Sequence, residues 1–235
     1  MSVNYPQGFK SAKVLSICAT AAFLLLAVLY IVSTVLGVGQ LIKPSLTFKL
    51  PDGSSQSLWL TIQVILFLLK FFAYVTAVVF FLIWLARSHN NLYALKPSHL
   101  QYSSGWAVGS WFIPFVNLVK PFQVVREVWW ESDPLIPAEQ TFLTASLHRA
   151  PAYMGFWWAA WLISNITFNI LANVFDPDKP SSVYASAYLF VISGIASFIA
   201  VGFVIYLVLD ITKRQETRFK NLTAYQGYSP PGMPR

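Results

Sequence analysis

Charge is scarce in this chain. Only 11% of its 235 residues are Asp, Glu, Lys or Arg, where soluble domains carry about 25%, and that shortage excludes a soluble two-domain enzyme. Acidic residues are the scarcer kind, nine against sixteen basic, and no paired-carboxylate hydrolase motif occurs among them. A Gly-rich phosphate loop and a Ser nucleophile elbow are also missing, so the chain reads as a non-enzyme. Cys18 is the single cysteine, which excludes an internal disulfide and a multi-thiolate metal site; set in an apolar run, it reads as packing material. The three histidines, His89, His99 and His148, lie outside the long apolar runs, whereas a haem held between helices needs them inside. Their spacing matches no metal motif, so neither cofactor nor metal is expected. No basic block interleaves with aromatics, and nucleic acid is not a partner.

What the chain has is apolar length. It is 56% hydrophobic, with 19 Phe, 11 Tyr and 9 Trp. Four stretches reach the roughly 20 residues needed to cross a bilayer: Val14 to Leu36, Leu58 to Leu85, Pro151 to Phe175 and Val183 to Leu209. The first follows Lys10 and Lys13 like a signal peptide, but its apolar core exceeds the usual 7–15 residues or so and no small-residue cleavage site follows; it reads as a retained helix. The expected fold class is an all-α polytopic membrane protein of four transmembrane helices plus a re-entrant or interfacial segment. Residues 1–13 and 210–235 are then cytoplasmic tails, the second basic and Pro/Gly-rich, and 14–209 form the membrane domain.

The near side of a four-span chain carries Lys10, Lys13, Arg87, Lys96, Lys120, Arg126, Arg149, Lys213, Arg214, Arg218, Lys220 and Arg235, against Lys43, Lys49 and Lys179 on the far side. The positive-inside bias places both termini in the cytoplasm. A fifth crossing through Trp106 to Val125 would reverse that bias at both ends of the last helix. Segment 104–133 is therefore expected not to span. Pro114 and Pro121 remove backbone donors in its middle, and "PFQVVREVWWESD" reads as an amphipathic helix beginning at Pro121. On it Phe122, Val125 and Trp129 share an apolar face, while Arg126, Glu127 and Glu131 meet headgroups or water. The outer loop "KPSLTFKLPDGSSQS" reads as a small hairpin, and "LTAYQGYSPPGMPR" as an end without fixed structure.

Polar groups within the spans are few. Lys70 is the one charge deep in an apolar run, costing about 2.5–3.5 kcal/mol on insertion scales, and Gln63, Phe67, Lys70 and Tyr74 share helical spacing. The bland reading is a lysine whose stem reaches toward headgroups; the sharper one is an anion path. Asn165, Asn169 and Asn173 recur every four residues and are expected to point into the bundle or toward another subunit. Ser193, Gly194, Ser197 and Gly202 mark close helix packing.

Gly105, Trp106, Ala107, Val108, Gly109, Trp111, Phe112, Pro114, Asn117, Leu118 and Pro121, followed by Gln123, Arg126 and Trp129, form a distinctive run. Upstream lie Trp84, Leu85, Arg87, Asn91 and Leu95. In these residues the chain resembles a bacterial integral-membrane family known as domain of unknown function 4328. Lys120 stands where relatives more often have an aromatic or aliphatic residue. The resemblance implies a four-helix domain in a bacterial inner membrane and supplies no activity. The leading expectation is a non-enzymatic assembly or accessory protein whose partners are membrane lipid and either a second copy or another membrane protein. The alternative is an oligomeric transporter or channel for an anion or small solute, using Lys70 and the "WFIPFVNLVKP" segment. A third is a lipid-processing enzyme recruiting His89, Arg126, Glu127 and His148.

Overall fold

The computed structural model describes residues 8–42, 58–95, 100–135, 150–174 and 180–227; the outer loop expected to form a hairpin lies outside them. Every regular element among them is helical: α1 (Lys13–Ile42), α2 (Leu58–Ala94), α3 (Ser104–Gly109), a 3₁₀ turn (Val116–Leu118), α4 (Lys120–Glu131), α5 (Ala152–Val174) and α6 (Pro180–Gly227). Three of these helices, over Lys13–Gly39, Thr61–Ala94 and Tyr188–Ala224, are long and apolar enough to cross a membrane. The chain is thus a multi-pass membrane protein. Many of the residues in these helices are β-branched or aromatic, poor helix formers in water, but in lipid an unbonded peptide group costs several kcal/mol and the helix is imposed. α2 contains neither proline nor glycine. α5, at 23 residues, is about 34 Å long at 1.5 Å per residue, but its asparagines dilute its apolar character.

α6 does not stop where its apolar run ends near Leu209. It continues to Gly227, so the basic stretch and Leu222 to Gly227, expected as a tail, are helical. The reason is that Leu207, Val208, Ile211, Thr212, Gln215 and Arg218 recur every three or four residues and are all buried, an amphipathic face that continues past the membrane run.

The chain divides into two compact units. The second comprises residues 20–78 and 155–205, and its helices meet through small residues: Ala22, Ala27, Ala73, Ala77, Ala160, Ala196 and Ala200 are buried. A Cβ on Gly194 would collide with the Thr34 side chain, and one on Gly37 would press on the Phe190 ring at 3.0 Å. Ser164 and Ser197 exchange a hydrogen bond at 2.5 Å. Such close backbone approach is how membrane helices gain packing energy where lipid tails remove the hydrophobic incentive. Gly202, grouped with these by its size, is exposed, and a Cβ added there would meet nothing within 4 Å among the described residues.

The first unit comprises residues 1–19, 79–154 and 206–235. Its described core is mixed. Trp84, Leu85, Leu92, Leu95, Val124, Val125, Val128 and Met154 are buried beside Ser88, His89, Asn91, Glu131, Ser132, Gln215 and Arg218. The segment before α1 is tied down as well, with Lys10 N–H donating to Asn91 Oδ1 at 3.1 Å and Phe9 stacked on Phe219 at 4.3 Å.

Candidate functional site

A buried polar network organises the first unit. Gln215 Nε2 donates to the Ser88 carbonyl at 2.8 Å and to Ser132 Oγ at 3.1 Å, while its Oε1 accepts from Asn91 Nδ2 at 3.2 Å. One amide thereby joins α2, α6 and the end of α4. Trp84 Nε1 donates to Thr212 Oγ1 at 2.9 Å. Arg218 Nη1 donates to the Glu131 and Asp133 carbonyls at 2.7 and 3.1 Å, meeting the unpaired carbonyls and negative dipole end of α4. Asp210 Oδ2 accepts from Trp129 Nε1 at 2.7 Å, Tyr153 Oη at 2.9 Å and Arg214 Nε at 3.1 Å. The Arg214 guanidinium lies 4.1 Å from the Trp129 ring centroid and also pairs with Asp133 at 3.3 Å.

Two expectations for α4 need correction. Glu131 does not meet water: it is buried, because α4 turns its final residues toward Arg218. Burial pushes the Glu131 carboxyl above its ordinary range, Arg218 opposes the shift, and Glu127 adds to it. Glu127 is turned inward too, toward His89 at 3.8 Å. Arg126 is exposed as expected.

The segment from Ser104 to Glu131 is a broken hairpin laid along α2. Its helices have 6 and 12 residues, about 9 and 18 Å long, too short to cross a hydrocarbon core of about 30 Å. Ser103 caps α3 by accepting from Trp106 N–H. Ser104 touches His89 and Asn90, whereas Trp111 meets Phe81 edge-on at 5.4 Å between centroids, about 12 Å further toward the start of α2 at 1.5 Å per residue. By Glu127 the chain has returned to the level of His89. The turn between carries Phe112 and Phe115, 69% and 84% exposed, with Ile113, Leu118 and Val119 exposed beside them.

Six of the eight backbone N–H groups between Trp111 and Val119 are bonded within the segment, those of Ile113 and Phe115 being the exceptions among the described residues. The N–H groups of Trp111, Phe112, Val116, Asn117, Leu118 and Val119 all bond carbonyls within the segment, and Pro114 has none to satisfy. Phe115 sits at φ 63, a conformation bulky residues rarely adopt and one that holds about 1–3 kcal/mol of strain.

The remaining sequence-predicted residues fall as follows. Trp106 is partly exposed on α3, Pro114 is exposed in the turn, and Asn117 is half-buried in the 3₁₀ turn. Lys120 Nζ donates to Gln123 Oε1 at 3.1 Å and lies 5.5 Å from the Tyr102 ring centroid. Lys70 is half-buried with Nζ 5.2 Å from the Phe190 ring centroid, an aromatic brace. Gln63 is half-buried and Tyr74 partly exposed. The asparagines on α5 do not enter the bundle. Asn165 is half-buried, Asn169 and Asn173 are exposed, and each amide donates to the carbonyl four residues back, at 2.8, 2.8 and 2.7 Å. That local bond lowers the cost of facing outward.

A groove of about 740 Å³ in the second unit is apolar, bordered by Phe156, Ile163, Ile192, Ile199 and Phe203. No group of three or more His, Cys, Asp or Glu able to hold a metal occurs among the described residues. Sequence reading missed Gln215, Thr212 and Asp210, although their three- and four-residue spacing with Val208 and Ile211 was an available signal.

No curated protein and no solved structure matches the chain. Residues 54–213 match the domain of unknown function DUF4328, a region that holds α2 to α5, most of α6 and the whole hairpin. Since the match covers more than half of the 235 residues, the chain belongs to the DUF4328 family.

Proposed function

We propose that this is a non-enzymatic assembly or accessory protein of a bacterial inner membrane. In this reading four helices cross the bilayer, α5 being the fourth, both termini are cytoplasmic, and residues 104–133 fold back as a re-entrant hairpin. The observation that carries the reading is the bonding of the hairpin turn. A backbone that enters lipid must satisfy its polar groups, and six of the eight N–H groups from Trp111 to Val119 do so within the segment, leaving those of Ile113 and Phe115 to a neighbouring chain, a headgroup or water. Exposed Val79 and Ile83 mark the lipid-facing side of α2 at the level of Phe81, the residue Trp111 meets. Phe112 and Phe115 then enter acyl chains rather than water.

Assembly is supported by α5. Asn169 and Asn173 each make one backward hydrogen bond and keep capacity for another that lipid tails cannot offer. A partner helix can fill it, each bond being worth about 0.6 kcal/mol on average. A double substitution of Asn169 and Asn173 by Leu therefore weakens self-association roughly tenfold across a symmetric pair, in which four amides share two bonds of about 1.2 kcal/mol together. Light scattering in mild detergent and cross-linking in bilayers measure it. A wild-type protein that stays monomeric at every protein-to-lipid ratio and captures no stoichiometric membrane partner would remove the assembly reading.

A further inference from the structure

One face of α5 is occupied within the second unit. Trp157 and Ala160 are buried, and one turn on, Ser164 bonds Ser197 of α6. The opposite face has no such use. Gly155, Ala159, Leu162, Ile166, Asn169 and Asn173 follow one another at steps of four, three, four, three and four residues. That alternation, a period of about 3.5 residues, is the one that keeps a seam against a neighbouring helix along a left-handed pair. Leu162 is half-buried and the other five are exposed. A Cβ added to Gly155 would meet nothing within 4 Å among the described residues. The apolar groove between α5 and α6 shares Ala159 with the seam, which gives a helix laid along it a recess on one flank.

We propose that the occupant of this seam is α5 of a second copy of the chain, lying parallel to the first and in register with it. The inference rests on the assembly reading above, with α5 as the fourth crossing, and specifies the interface. The amides at one end of the seam choose the occupant. Asn169 and Asn173 have each spent one hydrogen on the carbonyl four residues back, which leaves a second hydrogen and the oxygen lone pairs. An acyl chain can meet neither, whereas another amide meets both. A parallel pair in register sets Asn169 against its own copy and Asn173 against its own copy. A slip of one heptad would set Asn169 against Leu162 and Asn173 against Ile166, leaving every amide without a partner, and this is how a polar residue on a seam fixes register. Copies inserted with the same orientation and related by a two-fold axis along the membrane normal bring α5 together in this parallel sense. The helix contains no Asp, Glu, Lys, Arg or His, so no like charges oppose the approach. At the other end of the seam, Gly155 and Ala159 let the two backbones come close.

The test is disulfide scanning of the full chain in lipid bilayers. Single cysteines would be placed in a chain with Cys18 replaced by Ser, at Ala159, Leu162, Ile166 and Asn169 on the seam and at Thr167 and Phe168 off it, and oxidised with iodine. Each seam position is expected to link to its own copy, since a disulfide forms only between closely set Cβ atoms, and the two off-seam positions are expected not to. Gly155→Leu supplies a second readout. Its side chain has room in the lone protomer but holds two parallel backbones apart, so self-association should weaken about tenfold or more, while thermal unfolding of the dilute, monomeric protein in detergent is not lowered. Links confined to Thr167 or Phe168, links without the seam's period, or Gly155→Leu association as tight as wild type overturns the proposal. A wild-type chain that is dimeric by light scattering, or held by a different membrane protein, with no seam cysteine linking overturns the α5 pairing alone and leaves the assembly reading standing. A chain that stays monomeric at every protein-to-lipid ratio and captures no membrane partner removes both.

Discussion

Replacing Gln215 by Leu tests the polar network most sharply, because one side chain carries three bonds at a site where it is 1% exposed. The substitution removes the donations to the Ser88 carbonyl and Ser132 Oγ and the acceptance from Asn91 Nδ2. The partners are not equally stranded. Ser132 Oγ still donates to the Val128 carbonyl, and Asn91 Nδ2 still reaches the Lys10 carbonyl at 2.9 Å. Three net bonds at about 0.5–1.5 kcal/mol each, with a small offset from the added apolar surface, give a loss of about 2–4 kcal/mol. Q215E should cost more, since a carboxylate oxygen would replace the donor that faces the Ser88 carbonyl. Reversible unfolding in bicelles measures both variants. A Q215L loss under about 0.5 kcal/mol, the range of ordinary surface changes, would refute the reasoning that this amide ties α2, α4 and α6.

Three further outcomes are expected. The Glu131 carboxyl is raised by burial, so its contribution to stability is complete below the usual carboxylate range and is lost as pH rises through the raised value. The melting temperature of E131Q relative to wild type should therefore climb from pH 4 to pH 8, and a flat difference would contradict the sign. Gly194→Ala drives a methyl into Thr34 and should destabilise by about 1–3 kcal/mol; pairing it with Thr34→Ala should recover part of that loss, whereas no recovery would mean the close approach is elsewhere. Lys70→Met forfeits a cation–π contact worth about 0.5–2 kcal/mol but removes a charge costing about 2.5–3.5 kcal/mol at mid-membrane. It should be at least as stable as wild type, and a loss beyond about 2 kcal/mol would reveal a partner other than Phe190.

The apolar runs were legible because crossing a bilayer leaves a long, simple pattern, and α1, α2 and α6 follow it. The broken character of 104–131 was legible too, from Pro114 and Pro121. What the runs concealed is how far the helices continue beyond lipid. Ending the apolar run at Leu85 left His89 and Asn91 outside it, yet Trp84, Ser88, Asn91, Leu92 and Leu95 keep helical spacing and all are buried. The same cut at Leu209 hid Thr212, Gln215 and Arg218. Glu131 was assigned to water on a helix wheel, and no wheel records that Arg218, 87 positions on, closes over the end of α4. The α5 asparagines were expected in the bundle or toward another subunit because a lone amide in lipid is costly; they do not enter the bundle, and the bond back along the helix, which reduces that cost, follows from backbone geometry.

The hairpin is tested most directly by asking which side of the membrane each of its ends occupies. Single cysteines at Gln101 and Leu135, both exposed, would be placed in a chain with Cys18 replaced by Ser and labelled with an impermeant maleimide in right-side-out and inverted vesicles. The account predicts that both label from the cytoplasmic face. Labelling from opposite faces would make residues 104–131 a broken fifth crossing and contradict both the hairpin and the four-span topology built on it.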